Sequence, residues 1–202
     1  MTAMQTPEVP STMAGRVFSE ELHQIREVHI EMESILQSLA ALQNDAPCAS
    51  CANVCCKEVL CRESIESDFL RFVLGARVDD YSLSDGWYVP GSGCRLSFGR
   101  TLVCYEFFCE RFDMQEVGTL KQLSRAFKTV YSNVFAGQHI LVVDDISRIS
   151  KNKLHVVLNR LEGLRDQANS ALREALLRQL AKQSDRSEVD SSYVAGTGPW
   201  QV

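Results

Sequence analysis

The sequence predicts a mainly α protein. Residues from Phe18 to Leu42 and from Leu154 to Leu176 repeat apolar side chains at steps of three and four, the period of one helix face. All eight cysteines fall between these stretches, within residues 48–109. The expected architecture is a helical scaffold interrupted by a cysteine-rich insertion of loops and a short helix.

Residues 1–15 are rich in Thr, Pro, Ser and Met without a period and read as a flexible N-terminal arm. Residues 16–45 read as an amphipathic helix. Ser19 is its N-cap candidate, and Glu20 and Glu21 occupy the first turn, where the helix dipole favours acids. Phe18, Leu22, Ile25, Met32, Leu36 and Leu39 form a stripe broken only at His29, and Val28, Ile35 and Leu42 widen it. The segment NDAP, residues 44–47, stops the helix and delivers the chain to Cys48.

The insertion spans residues 46–112. Inside it ESIESDFLRFVLGARV reads as a short helix capped by Ser64, with Ile65, Phe69, Phe72 and Val73 inward and Gly75 near its end. DDYSLSDGWYVPGSGC is turn-rich, with two or three short extended pieces. Residues 113–183 are expected to complete the core. One helix there runs from about Gln115 to Gly137, and the longest helix buries Leu154, Val157, Leu158, Leu161, Leu164, Ala168, Ala171, Leu172, Ala175 and Leu176. Residues 184–202 carry few core residues and read as a flexible tail. HILVVDD, residues 139–145, resembles the first strand of a receiver domain, but the strand–helix alternation that fold needs does not follow. It is taken as a connection or the continuation of a helix, with Asp144 and Asp145 as capping or solvated residues.

Twenty-one basic against twenty-six acidic residues give a net charge of −5, which argues against a nucleic-acid surface. No run of eighteen apolar residues exists, so a spanning helix is not expected. The first residues lack a basic segment followed by an apolar one, so no export signal is read and the expected location is cytoplasmic. In a reducing cytosol structural disulfides are rare, and clustered cysteines point to metal or redox roles.

Five cysteines lie in CASCANVCCKEVLC: Cys48, Cys51, Cys55, Cys56 and Cys61. Cys94, Cys104 and Cys109 follow in CRLSFGRTLVCYEFFC. Cys-x-x-Cys, as in Cys48 and Cys51, presents two thiolates from one tight loop. Adding the distal set would close a tetrahedral zinc site or hold an iron–sulfur cluster. Adjacent cysteines such as Cys55 and Cys56 seldom serve one ion, so one of them is a second-sphere, core or redox thiol, or two metals bind. Confinement to one segment argues against scattered core cysteines. A thioredoxin-type pair lacks the expected strand before Cys48. The insertion is therefore predicted to bind metal.

The pattern C-x2-C-x3-C-C, then C-x5-R-x3-C-x4-C, resembles the YkgJ-like cysteine-cluster family, zinc- or iron-chelating proteins that typically show C-x2-C-x2-C-C, a C-P-F-L element and C-x-[IV]-Y-x2-R-P-x2-C-R-x-F-x-C. Cys48, Cys51, Cys55 and Cys56 match the first element with one extra residue before the pair. Cys94, Arg100, Cys104, Phe107 and Cys109 fall at the closing spacings, but Ser97, Thr101 and Tyr105 replace the Tyr, Pro and Arg. The cysteine of C-P-F-L has no counterpart, and Cys61 is the extra thiol that could substitute for it. The resemblance covers roughly residues 48–112 and implies metal binding rather than a reaction. Flagellin lysine methylases carry a similar cluster, but no glycine-rich methyl-donor loop is found here.

Arg100 is expected at the cofactor, where a cation lowers thiolate pKa or offsets the charge of a thiolate-rich site. His23, His29, His139 and His155 lack metal spacing, and His29 on the apolar stripe reads as a packed core histidine. Trp87 and Tyr88 read as packing residues that also shield the site. Two function classes follow: a cysteine-ligated iron–sulfur or zinc protein with a redox or electron-transfer type role, and a structural-zinc accessory module. The second would act through its amphipathic helices on a protein partner or a second copy in a homodimer.

Overall fold

In a computed structural model of the chain, residues 19–42, 58–89, 93–101, 104, 117–132 and 149–194 are described, with the backbone alone for 58–60, 117, 132 and 185–194. Helix α1 spans Glu20–Ala41, α2 Glu58–Glu66, α3 Asp68–Leu74, α4 Val117–Ser132 and α5 Lys151–Val194. A 3₁₀ helix, Gly75–Asp80, follows α3, and the two-residue strands β1, Tyr88–Val89, and β2, Gly93–Cys94, form one antiparallel pair. The mainly α expectation holds, and among the described residues no helix is long and apolar enough to cross a membrane.

Helix α1 begins where its cap signal places it. Ser19 is extended, and its hydroxyl accepts the Leu22 N–H at 3.3 Å, satisfying one of the orphan donors of the first turn. Leu22, Ile25, Val28, Met32, Ile35, Leu36 and Leu39 are buried, so the apolar stripe is the packed face. Its main neighbour is α5. Lys151 meets Glu21 at 3.5 Å and Arg165 meets Glu31 at 3.3 Å, so the two helices run in the same direction. Leu154, Val157, Leu158, Leu161, Leu164 and Ala168 line the α5 side of this seam. Leu120, Leu123, Phe127 and Val130 of α4, with Phe69, Phe72 and Val73 of α3, complete one core. Arg26 of α1 donates from Nε to the Phe72 and Val73 carbonyls, at 3.1 and 3.2 Å, and so caps the end of α3.

A second, smaller core holds Leu74, Trp87 and Leu96, with Cys61, Ile65, Val78, Tyr81 and Cys94 packed around it. Trp87 is almost wholly buried and donates its Nε1–H to Ser64 Oγ at 2.6 Å. The turn that carries it closes between Ser82 and Gly86. Gly86 has φ 61°, and a Cβ there would lie 3.0 Å from Cys61 Cβ, so a side chain would push against the thiol-bearing turn of α2.

Three expectations are corrected. The predicted short helix is two helices, broken at Ser67, whose φ −71° and ψ 122° are extended; Ser67, not Ser64, caps the second by accepting the Leu70 N–H at 3.2 Å. Ser64 is buried inside α2, held between the Cys61 carbonyl and Trp87. The tail expected from residue 184 is helical to Val194, because adding residues to a long helix needs no new nucleus. Leu176 is 42% exposed and leaves the buried face, since Ala41, ten residues beyond Glu31, is the last residue of α1, and α5 runs on past the equivalent position, Ala175. The arm 1–15, the continuation of α4 toward Gly137 and the segment 139–145 lie outside the described residues.

Candidate metal centre

Cys61, Cys94 and Cys104 are the described cysteines; Cys48, Cys51, Cys55, Cys56 and Cys109 lie outside the described residues. Cys61 is on α2, Cys94 ends β2, and Cys104 follows the turn 95–101. Cys61 and Cys94 are half-buried and pack on the same Trp87 core, one from a helix and one from a strand. Pairing of β1 with β2 sets Cys94 opposite Tyr88, and the Arg95 N–H donates to the Trp87 carbonyl at 2.7 Å, so Cys94 is registered against the tryptophan strand.

Cys104 is joined to this group by charge. It exposes part of its surface, yet enough protein surrounds the sulfur that burial pushes the thiol up to about 11. A hydrogen bond with the Thr101 hydroxyl, Oγ1 to Sγ 3.0 Å, works downward, Cys94 pushes up, Arg100 pulls down and Cys61 pushes up. The three sulfurs and Arg100 thus occupy one electrostatic neighbourhood. Among the described residues, no three His, Cys, Asp or Glu side chains are close enough to hold one metal ion by themselves.

The turn 95–101 is held by contacts from α1, from the 3₁₀ helix and from within itself. Arg100 folds its guanidinium back on the Leu96 carbonyl, Nε at 3.0 Å and Nη2 at 2.7 Å. Arg77 of the 3₁₀ helix donates to Ser97 Oγ at 2.9 Å and to the Arg95 carbonyl at 3.1 Å, with Phe98 beneath it at 5.3 Å. From α1, Gln37 Nε2 donates to the Ser97 carbonyl at 2.5 Å. Glu33, fully buried, accepts the Gly99 N–H at one carboxylate oxygen and the Arg100 N–H at the other, the latter at 2.9 Å.

Behind Glu33 stands a buried polar chain. His29 Nε2 is 3.4 Å from Glu33 Oε2, and His29 Nδ1 is 2.7 Å from the Tyr131 hydroxyl. Phe69 and Phe127 pack their rings on the imidazole at 5.2 and 4.9 Å. His29 is therefore the packed core histidine expected. His23 stacks edge-on against Phe72, and His155 bonds the Lys151 carbonyl; His139 lies outside the described residues. Glu33, Gln37 and Arg77 were not legible as site residues. The available signal for Glu33 was a carboxylate inside the apolar stripe, four residues after His29 and three before Leu36. No family model, no curated protein and no solved structure matches the chain.

Proposed function

We propose that the chain is a cysteine-ligated metal-binding protein holding an iron–sulfur cluster or zinc, with a redox or electron-transfer type role if the cluster is the occupant. The observation that supports it is the packing of Cys61 and Cys94, 33 positions apart in sequence, on one small core, with Cys104 near enough to feel the charge of both and of Arg100. The donor set suits soft, thiophilic metals. On this reading Cys61 takes the place of the cysteine missing from the family's C-P-F-L element. Cys48, Cys51, Cys55, Cys56 and Cys109 are the further ligand candidates, and the first four lie in the chain between the end of α1 and the start of α2.

Anaerobic purification followed by absorption spectroscopy, with iron, acid-labile sulfide and zinc quantified per chain, decides it. Matching iron and sulfide in a brown protein establish the cluster. Stoichiometric zinc without sulfide establishes the zinc form. Absence of all three after reconstitution removes the reading.

The second reading, a structural-zinc accessory module, is favoured by one feature. Leu177 and Leu180 are 66% and 60% exposed on the part of α5 beyond α1, where apolar side chains await a cover. A protein partner or a second copy of this chain would supply it. Light scattering that finds a strict monomer, unchanged by Leu177→Asp, eliminates the homodimer form of this reading.

A further inference from the structure

We propose that Glu33 is a positioning residue that sets the turn between Cys94 and Cys104, and thereby the placement of the two thiols. The consequence for metal rests on the cysteine-ligated reading above; the geometry does not. A fully buried carboxylate is costly unless hydrogen bonds replace its lost hydration. Here the replacement comes from two consecutive backbone N–H groups of the cysteine-bearing loop, those of Gly99 and Arg100.

The loop is shaped to present them. Gly99 has φ 78°, and a Cβ there would lie 2.5 Å from Leu74 Cδ2, so the backbone approaches closely and turns both amides toward α1. Successive amides converging on one anion form a concave donor pair of the kind that fixes backbone conformation. The grip is transmitted outward. Thr101, next after the gripped residues, is almost wholly buried and hydrogen-bonds Cys104 Sγ, and the Arg100 guanidinium holds the Leu96 carbonyl two residues from Cys94.

The carboxylate is itself aimed. Tyr131 and His29 stand behind it in a line from α4 through α1, so helix packing sets the direction in which Glu33 presents its oxygens. Apolar anchoring does not demand a charge at this position. Leu96 already buries the loop against Leu74 and Trp87.

The test uses the full chain in three forms: wild type, Glu33→Gln and Glu33→Asp. The glutamine keeps the volume but turns an NH2 donor toward amide donors. The aspartate keeps the charge and withdraws its reach by one methylene. Each metal-free, reduced chain is titrated with zinc(II) against a competing chelator, cobalt(II) spectra are recorded, and alkylation of Cys104 is followed by peptide mass mapping. Expected are a roughly 10–100-fold loss of zinc affinity in Glu33→Gln and a smaller loss in Glu33→Asp, as for other residues that orient metal ligands. The thiolate–cobalt bands should shift, and Cys104 alkylation should accelerate in both variants.

Wild-type affinity, cobalt bands and Cys104 reactivity in the variants overturn the proposal, whatever happens to the melting temperature. If Glu33→Gln does not fold, Glu33→Asp decides on the same readouts. If wild type takes up neither zinc nor cobalt, the metal reading fails by itself. The alkylation rate then decides the positioning claim: faster Cys104 labelling in the variants upholds it, and an unchanged rate ends it.

Discussion

Tyr131 shows how one buried hydroxyl ties stability to pH. Its phenol lies wholly inside the helix core, and burial, reinforced by the neighbouring Glu33 carboxylate, holds its pKa well above 10.0. An unfolded tyrosine releases its proton near pH 10. The folded-state value is the raised one, so the phenol leaves stability untouched below pH 10. Above that the unfolded chain gains by ionising while the folded one does not, and stability falls as pH rises. The Cys104 thiol, pushed up to about 11, adds a loss of the same sign in the metal-free protein. Comparison with Tyr131→Phe separates the two. At about pH 8 the variant should be less stable by about 1–3 kcal/mol, because His29 Nδ1 loses its partner in a dry site. Between about pH 10 and pH 11 the wild type should decline more steeply than the variant in urea unfolding. Parallel pH profiles would show that the phenol is not shielded from titration.

At the scale of elements, the α2–α3 break makes a comparable prediction. Ser67 interrupts the helical path, its carbonyl accepts the Arg71 N–H at 2.9 Å, and its hydroxyl accepts the Leu70 N–H. Ser67→Ala should cost about 1 kcal/mol in denaturant unfolding, the usual worth of such a cap. An unchanged midpoint would mean that the break is held by other groups. Ser64 and Ser67 also show where sequence legibility stops. Both are serines preceded by a glutamate, and local chemistry offers each as a cap. What separates them is Trp87, 23 residues from Ser64, which claims the Ser64 hydroxyl across the small core. Helix α1 was legible because both of its determinants, the Ser19 cap and the apolar stripe, are local. Glu33 was not, because its partners are backbone amides 66 and 67 residues away, and an N–H leaves no mark in a sequence pattern. Likewise the clustering of the cysteines in sequence was plain, whereas the seating of Cys61 beside Cys94 depended on the Gly86 turn and the strand register.

At the scale of the whole molecule, the two cores predict that the proposed metal, once removed, would affect the fold unevenly. The larger core is made by α1, α3, α4 and α5, and none of the described cysteines belongs to it. Each leucine buried there contributes about 1.5–3 kcal/mol, so the bundle has its own source of stability. Among the described residues the smaller core consists of three buried residues with Cys61 and Cys94 on its margin, far less apolar surface than the larger core buries. Leu74, at the end of α3, belongs to this core, and Phe98 of the turn 95–101 packs on the larger one. If the cysteines hold a metal as proposed, stripping it should leave the far-ultraviolet helical signal largely intact, while amide hydrogens of residues 81–89 and 93–101 exchange faster by the factor that metal binding had contributed locally. The Gly99 and Arg100 amides should stay the slowest of that group as long as Glu33 grips them, and should lose this distinction in Glu33→Gln. Hydrogen exchange with mass spectrometry, run on the loaded and chelated chain, reads both effects. Acceleration spread evenly through α1 and α5 would show instead that the bundle and the cysteine segment unfold as one unit, which would make the metal a stabiliser of the entire fold.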